Sequence, residues 1–169
     1  LLMGVPTFYT RLLADERLTV QLAKNMRLFI SGSAPLLAET HEEFTRRTGH
    51  YILERYGMTE TNMITSNPYN GERRPGTVGK PLPDVEIQIN DSQTGRENAD
   101  GEIGMIEVRG PNVFKGYWNM PDKTALELKE NGFFITGDLG KLSSDGYLSI
   151  VGREKDLIIS GGYNVYPKE

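Results

Sequence analysis

The chain contains no cysteine among its 169 residues, which removes disulfides, thiolate nucleophiles and cysteine metal sites together. It has no block of lysine or arginine. Nineteen basic against 23 acidic residues leave a formal net charge of −4, so nothing in the sequence is built to neutralise a nucleic-acid backbone or an anionic membrane surface. No apolar run approaches the roughly 20 residues of a membrane-spanning helix. The opening LLMGVPTFYT lacks the basic stretch and small-residue cleavage site of a secretory leader. Neither nucleic acid nor membrane is expected as a partner, and the cytoplasm is the expected compartment; a mitochondrial address would belong to a segment ahead of Leu1. Asn90-Asp91-Ser92 matches a glycosylation sequon in a chain without secretory features. Internal repeats and low-complexity segments are absent as well.

What is present changes character near residue 70. Before it, PTFYTRLLADERLTVQLAKN and LLAETHEEFTRRTG carry helical spacing, with Gly49 as a stop, and MRLFISGS and YILERY read as short strands ended by turns. That order predicts the end of a parallel α/β subdomain over residues 1–70. After it, VEIQIND, GMIEVRG, GYLSIVG and DLIISGG are β-rich runs punctuated by Gly, Pro, Asn and Asp, which predicts a small barrel-like β subdomain over residues 71–154. The chain opens inside an apolar stretch and stops at YNVYPKE, and it reads as part of a longer protein.

Ligands of open α/β sheets collect beyond the carboxyl ends of the strands. Two such ends are distinctive here, Ser31-Gly32-Ser33-Ala34-Pro35 and Tyr56-Gly57-Met58-Thr59-Glu60-Thr61. Small residues in the first turn let a flat ring approach the backbone. Tyr56 is then either a stacking surface for that ring or a core aromatic. Thr59 is either a hydroxyl donor to phosphate or a helix N-cap, and Glu60 either a magnesium ligand or a favourable first-turn acid. Asp138, in GFFITGDLGKL, either accepts both hydroxyls of a ribose or closes an Asx turn. Arg153, with Lys155 and Asp156 beside it, is either a second ribose or phosphate donor or part of a solvated loop.

Taken together, SGSAPL, YGMTET, GTVGKPLP, GYWNMP, TGDLG and GREKDLIISGGYNVYPKE resemble, in order and wording, the core motifs of the adenylate-forming acyl-CoA synthetases over essentially the whole chain. The wording of MGVPTFYTRLL, ERYGMTETNM, GPNVFKGYWNMP and GFFITGDLGK is most similar to the malonate-activating members. The resemblance implies a ligase that joins a carboxylate to ATP, giving an acyl-adenylate and pyrophosphate, and then passes the acyl group to coenzyme A. It implies that Ser33, Ala34 and Pro35 border the adenine, that Tyr56 stacks on it and Ile150 closes against it, and that Gly57 belongs to the same nucleotide-binding set. Thr59 would contact the ATP phosphates and Glu60 the magnesium ion, while Asp138 and Arg153 would take the ribose. Lys155 would be the hinge to a further C-terminal domain beginning within residues 155–169, and Gly162 would line the pantetheine channel. A glycine-rich phosphate loop ahead of Leu1 and a catalytic lysine beyond Glu169 are also implied, so the segment alone is expected to be inactive.

Malonate brings a second carboxylate, for which an arginine fork is the natural partner. Arg55 is the candidate, with Ser33 and Met63 bounding a small pocket, although strand alternation could equally turn Arg55 to solvent. Two other functions stand beside this one: another acyl-CoA synthetase, for a fatty or aromatic acid, and a non-catalytic nucleotide-binding fragment.

Overall fold

The computed structural model describes residues 1–160 and 163–165. A short strand, β1 (Leu2–Gly4), leads into α1 (Pro6–Leu13), started by a proline at a position where its missing N–H costs nothing. Helix α2 (Val20–Ala23) is capped by the Thr19 side chain, which accepts from the Leu22 N–H. Strand β2 (Phe29–Ser31) follows, then α3 (Ala38–Thr48), which ends at Gly49 with φ 74°, the left-handed geometry that glycine adopts without a steric penalty. The strands β1, β2 and β3 (Leu53–Met58) run parallel. The aromatics Tyr9, Phe29 and Phe44 meet edge to face beneath them, with Ile52 and Leu36, and form the first core.

The segment after β3 folds differently from a βα unit. Strand β4 (Asn62–Ser66) returns antiparallel to β3, and β5 (Lys80–Pro81) pairs with β4, so the first sheet has the order β1-β2-β3-β4-β5. Of the two readings of Thr59, the helix N-cap is ruled out: Asn62 takes φ 53° and turns the chain into a hairpin, so no helix follows for Thr59 to cap.

The β-rich half is an antiparallel four-stranded sheet: β6 (Glu86–Asn90), β7 (Gly104–Arg109), β8 (Phe134–Leu142) and β9 (Leu148–Arg153), in that order and open among the described residues. Between β7 and β8 the chain forms a short helix, α4 (Pro121–Glu127). Asn90, the sequon asparagine, is buried in β6. The second core gathers Tyr56 and Ile64 from the first sheet with Ile89, Ile106, Val108 and Leu148 from the second. Backbone bonds from Val78 N–H to Leu148 O and from Leu148 N–H to Gly79 O, both 2.8 Å, tie the sheets together. After β9 come a single 3-10 turn (Glu154–Asp156) and a hairpin of β10 (Ile158–Ser160) with β11 (Tyr163–Val165).

Candidate active site

The site is organised around β3, whose consecutive side chains face opposite ways. Arg55 turns to a cleft of about 230 Å³ walled by Met3, Gly4, Phe8, Gly32, Ser33, Gly57 and Met63. The turns after β2 and β3 thus meet at one crevice. Arg55 is half-buried rather than turned to solvent, and its guanidinium donates at 3.1 Å to the Met3 sulfur, a weak acceptor. Among the described residues no carboxylate lies within ion-pair distance of it.

The backbone around this cleft is tightly constrained. The register of β3 against β4 shifts between Tyr56 and Gly57, and a Cβ at Gly57 would stand 2.1 Å from the Asn62 carbonyl oxygen, so only glycine fits. Ser33 holds φ 69°, a conformation that a non-glycine residue keeps only where its surroundings impose it. Ala34 and Pro35 follow it, exposed.

On the other face of β3, Tyr56 is 9% exposed, packed in the second core. Its hydroxyl donates to Asp138 Oδ2 at 2.5 Å. Burial, then the Asp138 charge, push the Tyr56 pKa upwards, so the hydroxyl stays a donor. Asp138 does not close an Asx turn. It lies within β8 directly opposite Arg153 on β9, and Arg153 Nε stands 3.3 Å from Asp138 Oδ1. Thr136 Oγ1 accepts from the Asp138 N–H at 3.1 Å and donates to Ile106 O at 2.9 Å, which fixes the backbone there. Ile150, on β9, packs against the same core as Tyr56. Tyr56 is therefore brought together with Asp138, 82 residues away in sequence, and with Ile150 and Arg153 of the neighbouring strand.

Thr59 and Glu60 form the tip of the β3–β4 hairpin, Thr59 exposed and Glu60 half-buried. Glu60 shares a hydrogen-bonding partner with a second carboxylate, Glu127. The Tyr117 hydroxyl lies 3.1 Å from Glu60 Oε1 and 2.6 Å from Glu127 Oε2. Burial first, then the hydrogen bonds to Glu127 and Glu60, raise the Tyr117 pKa. Neither Tyr117 nor Glu127 stands out in the sequence by spacing; the signal for Tyr117 was its place in the aromatic-rich run NVFKGYWNMP, longer than a turn needs. Met3, too, has no signature. Lys155 is exposed in the 3-10 turn after β9. Gly162 lies outside the described residues.

Behind the crevice, His41 and Glu54 form a buried pair at 3.2 Å. The Ile52 N–H donates to His41 Nε2, so that nitrogen is an acceptor and Nδ1 carries the proton given to Glu54. Burial raises the Glu54 pKa, and the His41 hydrogen bond opposes the rise.

A family model described as AMP-binding enzyme matches residues 1–118. The ATP-bound crystal structure of MatB from Rhodopseudomonas palustris superposes with a TM-score of 0.95 at 65% sequence identity, over 98% of this chain and 33% of that one. Malonate–CoA ligase from Arabidopsis thaliana is 43% identical over 96% of this chain and 28% of its own length. A long-chain-fatty-acid–CoA ligase from Bacillus subtilis is 40% identical over 98% of this chain and 30% of its own. The chain thus spans about a third or less of each of these relatives. With the model match, the sequence identities and the superposition in agreement, the chain belongs to the family of AMP-binding enzymes.

Proposed function

We propose that the parent protein is an ATP-dependent acid–thiol ligase that activates malonate, with methylmalonate as a second substrate, through an acyl-adenylate and transfers the acyl group to coenzyme A. The observation that carries this reading is the half-buried Arg55 guanidinium on the wall of a small cleft, with a thioether as its described partner. A diacid leaves one carboxylate free to react while the other needs a cation, and a fork of N–H donors suits it. Ser33 and Met63 bound the space beside Arg55. An extra methyl group is worth only about 1–3 kcal/mol of discrimination, which is why methylmalonate belongs with malonate. The 49% identity to a malonyl-CoA ligase whose structure holds methylmalonyl-CoA and AMP supports the substrate reading more than the nearly equal identities to the malonate and long-chain-fatty-acid ligases do.

The remaining proposed roles are those the family resemblance implies. Asp138, held by Tyr56 and Arg153, keeps lone pairs for the ribose hydroxyls of ATP. Ile150 and the Ser33-Ala34-Pro35 turn flank the base, Tyr56 stacks on it, and Gly57 lets the ligand come close to the backbone. Thr59 donates to phosphate oxygens from its exposed position. Among the described residues no group of three or more acidic or histidine side chains could enclose a metal ion. A single carboxylate such as Glu60 fits magnesium, which takes its other ligands from phosphates and water. Bound there, magnesium would neutralise phosphate charge as the malonate oxygen attacks the α-phosphorus and pyrophosphate leaves. Lys155 is the proposed hinge and Gly162 the proposed contact with the pantetheine arm of coenzyme A.

Acid-dependent exchange of labelled pyrophosphate into ATP by the full-length protein tests this, comparing malonate, methylmalonate, acetate and a long-chain fatty acid. Exchange much stronger with the two diacids than with acetate or the fatty acid is expected, and none from residues 1–169 alone. Strong exchange with the fatty acid would overturn the substrate, and none with any acid would favour a non-catalytic nucleotide-binding protein.

A further inference from the structure

The hairpin tip that carries Thr59 and Glu60 is held from outside by one stretch of chain about fifty residues away. The Phe114 N–H donates to the Glu60 carbonyl oxygen at 2.7 Å. Asn112 Nδ2 donates to the carbonyls of Thr61 at 2.7 Å and Met63 at 3.2 Å, which fixes its amide orientation. The Phe114 ring is wedged edge-on between Tyr117, at 4.8 Å, and Phe134 of β8, at 5.3 Å. The same stretch ends at Tyr117, whose hydroxyl stands between the carboxylates of Glu60 and Glu127. Lys123 lies 4.1 Å from the Tyr117 ring centre and 3.9 Å from the other oxygen of Glu127, so Glu127 has a cation of its own.

We propose that residues 112–117 are the positioning element of the Thr59–Glu60 tip and that Tyr117 is the positioning residue that orients the Glu60 carboxylate. Backbone bonds from Phe114 and Asn112 set the height of the tip, and the Tyr117 hydroxyl sets the rotation of the carboxylate. One phenolic proton serves one carboxylate at a time, so Glu127 competes with Glu60 for it, and Lys123 moderates that competition by balancing the Glu127 charge. Outer-shell partners of this kind fix the orientation of metal-ligating carboxylates, and their loss weakens metal binding about 10- to 100-fold.

This rests on the proposed role of Glu60 as the magnesium ligand. The test is binding of Mn²⁺, a spectroscopic stand-in for Mg²⁺, followed by electron paramagnetic resonance on the full-length protein with a non-hydrolysable ATP analogue. Variants Tyr117→Phe, Glu60→Gln and their combination are compared, with thermal melts alongside. Tyr117→Phe is expected to weaken Mn²⁺ binding about tenfold, to raise the metal concentration for half-maximal activity in parallel, and to leave the KM for malonate within twofold. In the Glu60→Gln background it should add almost nothing, because it acts through that carboxylate. Glu127→Gln, which frees the hydroxyl for Glu60, should leave Mn²⁺ binding unchanged or tighten it, and it supplies the comparison if Tyr117→Phe fails to fold. If Glu60→Gln weakens the metal and Tyr117→Phe does not, or if Tyr117→Phe costs as much in both backgrounds, the positioning role is wrong. If Glu127→Gln weakens it, the competition between the carboxylates is wrong. If Glu60→Gln leaves Mn²⁺ binding unchanged, the metal assignment itself fails.

Discussion

The two faces of β3 are finished in opposite ways. Towards the second sheet, Tyr56, Asp138 and Arg153 satisfy one another, so the proposed ribose site is preorganised before any ligand arrives. Towards the cleft, Arg55 has only the Met3 sulfur as a partner among the described residues, so its proposed partner is the substrate itself. One strand can therefore serve both a ligand common to the whole family and one that differs between its members. The nucleotide side gains from rigidity, since a fixed carboxylate spends less free energy on ordering when ATP binds. The acid side gains from an unsatisfied cation, which favours a substrate that brings a second charge and disfavours one that does not.

The sharpest way to break this contrast is on the preorganised side. Asp138→Ala removes the proposed acceptor for the ribose and leaves the buried Tyr56 hydroxyl without its partner; with hydrogen bonds to charged groups worth about 1.5–3 kcal/mol each, kcat/KM for ATP should fall at least about 100-fold. Steady-state kinetics with ATP varied at saturating malonate checks this, and a loss below tenfold would remove Asp138 from the ribose. Tyr56→Phe is a subtler probe of the same network. It deletes one hydroxyl from a buried pair, and a loss of about 1 kcal/mol should raise the ATP KM about five- to tenfold while the malonate KM stays within twofold.

A smaller effect is expected behind the crevice, where Glu54 shares β3 with both faces. Burial raises its pKa in the folded state above its unfolded value. Such a group stabilises the fold fully below the unfolded pKa, and that contribution is lost as pH rises through the folded one. Glutamine does not titrate, so the unfolding free energy of Glu54→Gln relative to the wild type should increase as pH rises above the ordinary glutamate range. The slope should approach about 1.4 kcal/mol per pH unit between the unfolded and folded pKa values and level off above the folded one. Chemical denaturation at a series of pH values measures it, and a flat difference would mean that His41 fully compensates the burial.

Much of the fold was legible because its signals are local. Apolar runs bounded by Gly, Pro and Asn marked β2, β6, β7 and β9, and Gly49 marked the end of α3. Asp138 and Arg153 stood out as charges beside strand-like runs. The β3–β4 hairpin was not legible in the same way: Thr59-Glu60 has the composition of a helix start, and what decides against one is the left-handed turn at Asn62, which is set by the pairing of β4 with β3 and β5. The contacts of Arg55 with Met3, 52 residues away, and of Glu60 with Tyr117, 57 residues away, left no periodic trace, because only the folded topology sets such pairs. Tyr56 falls between these cases. Its position on a strand was readable, but its tie to Asp138 depends on the second sheet closing over the first.

The open face of β3 carries the central claim, and the most direct test is the preference for malonate over acetate in pyrophosphate exchange, wild type against Arg55→Ala, in the full-length protein. Acetate lacks the second carboxylate and serves as the internal control. The account predicts that the malonate KM rises about 30- to 100-fold, in the range of a lost charge-assisted bidentate contact of about 2–3 kcal/mol, with the ATP KM within twofold and the preference over acetate largely abolished. A preference that survives Arg55→Ala unchanged would contradict it and would move the recognition of the second carboxylate to another residue.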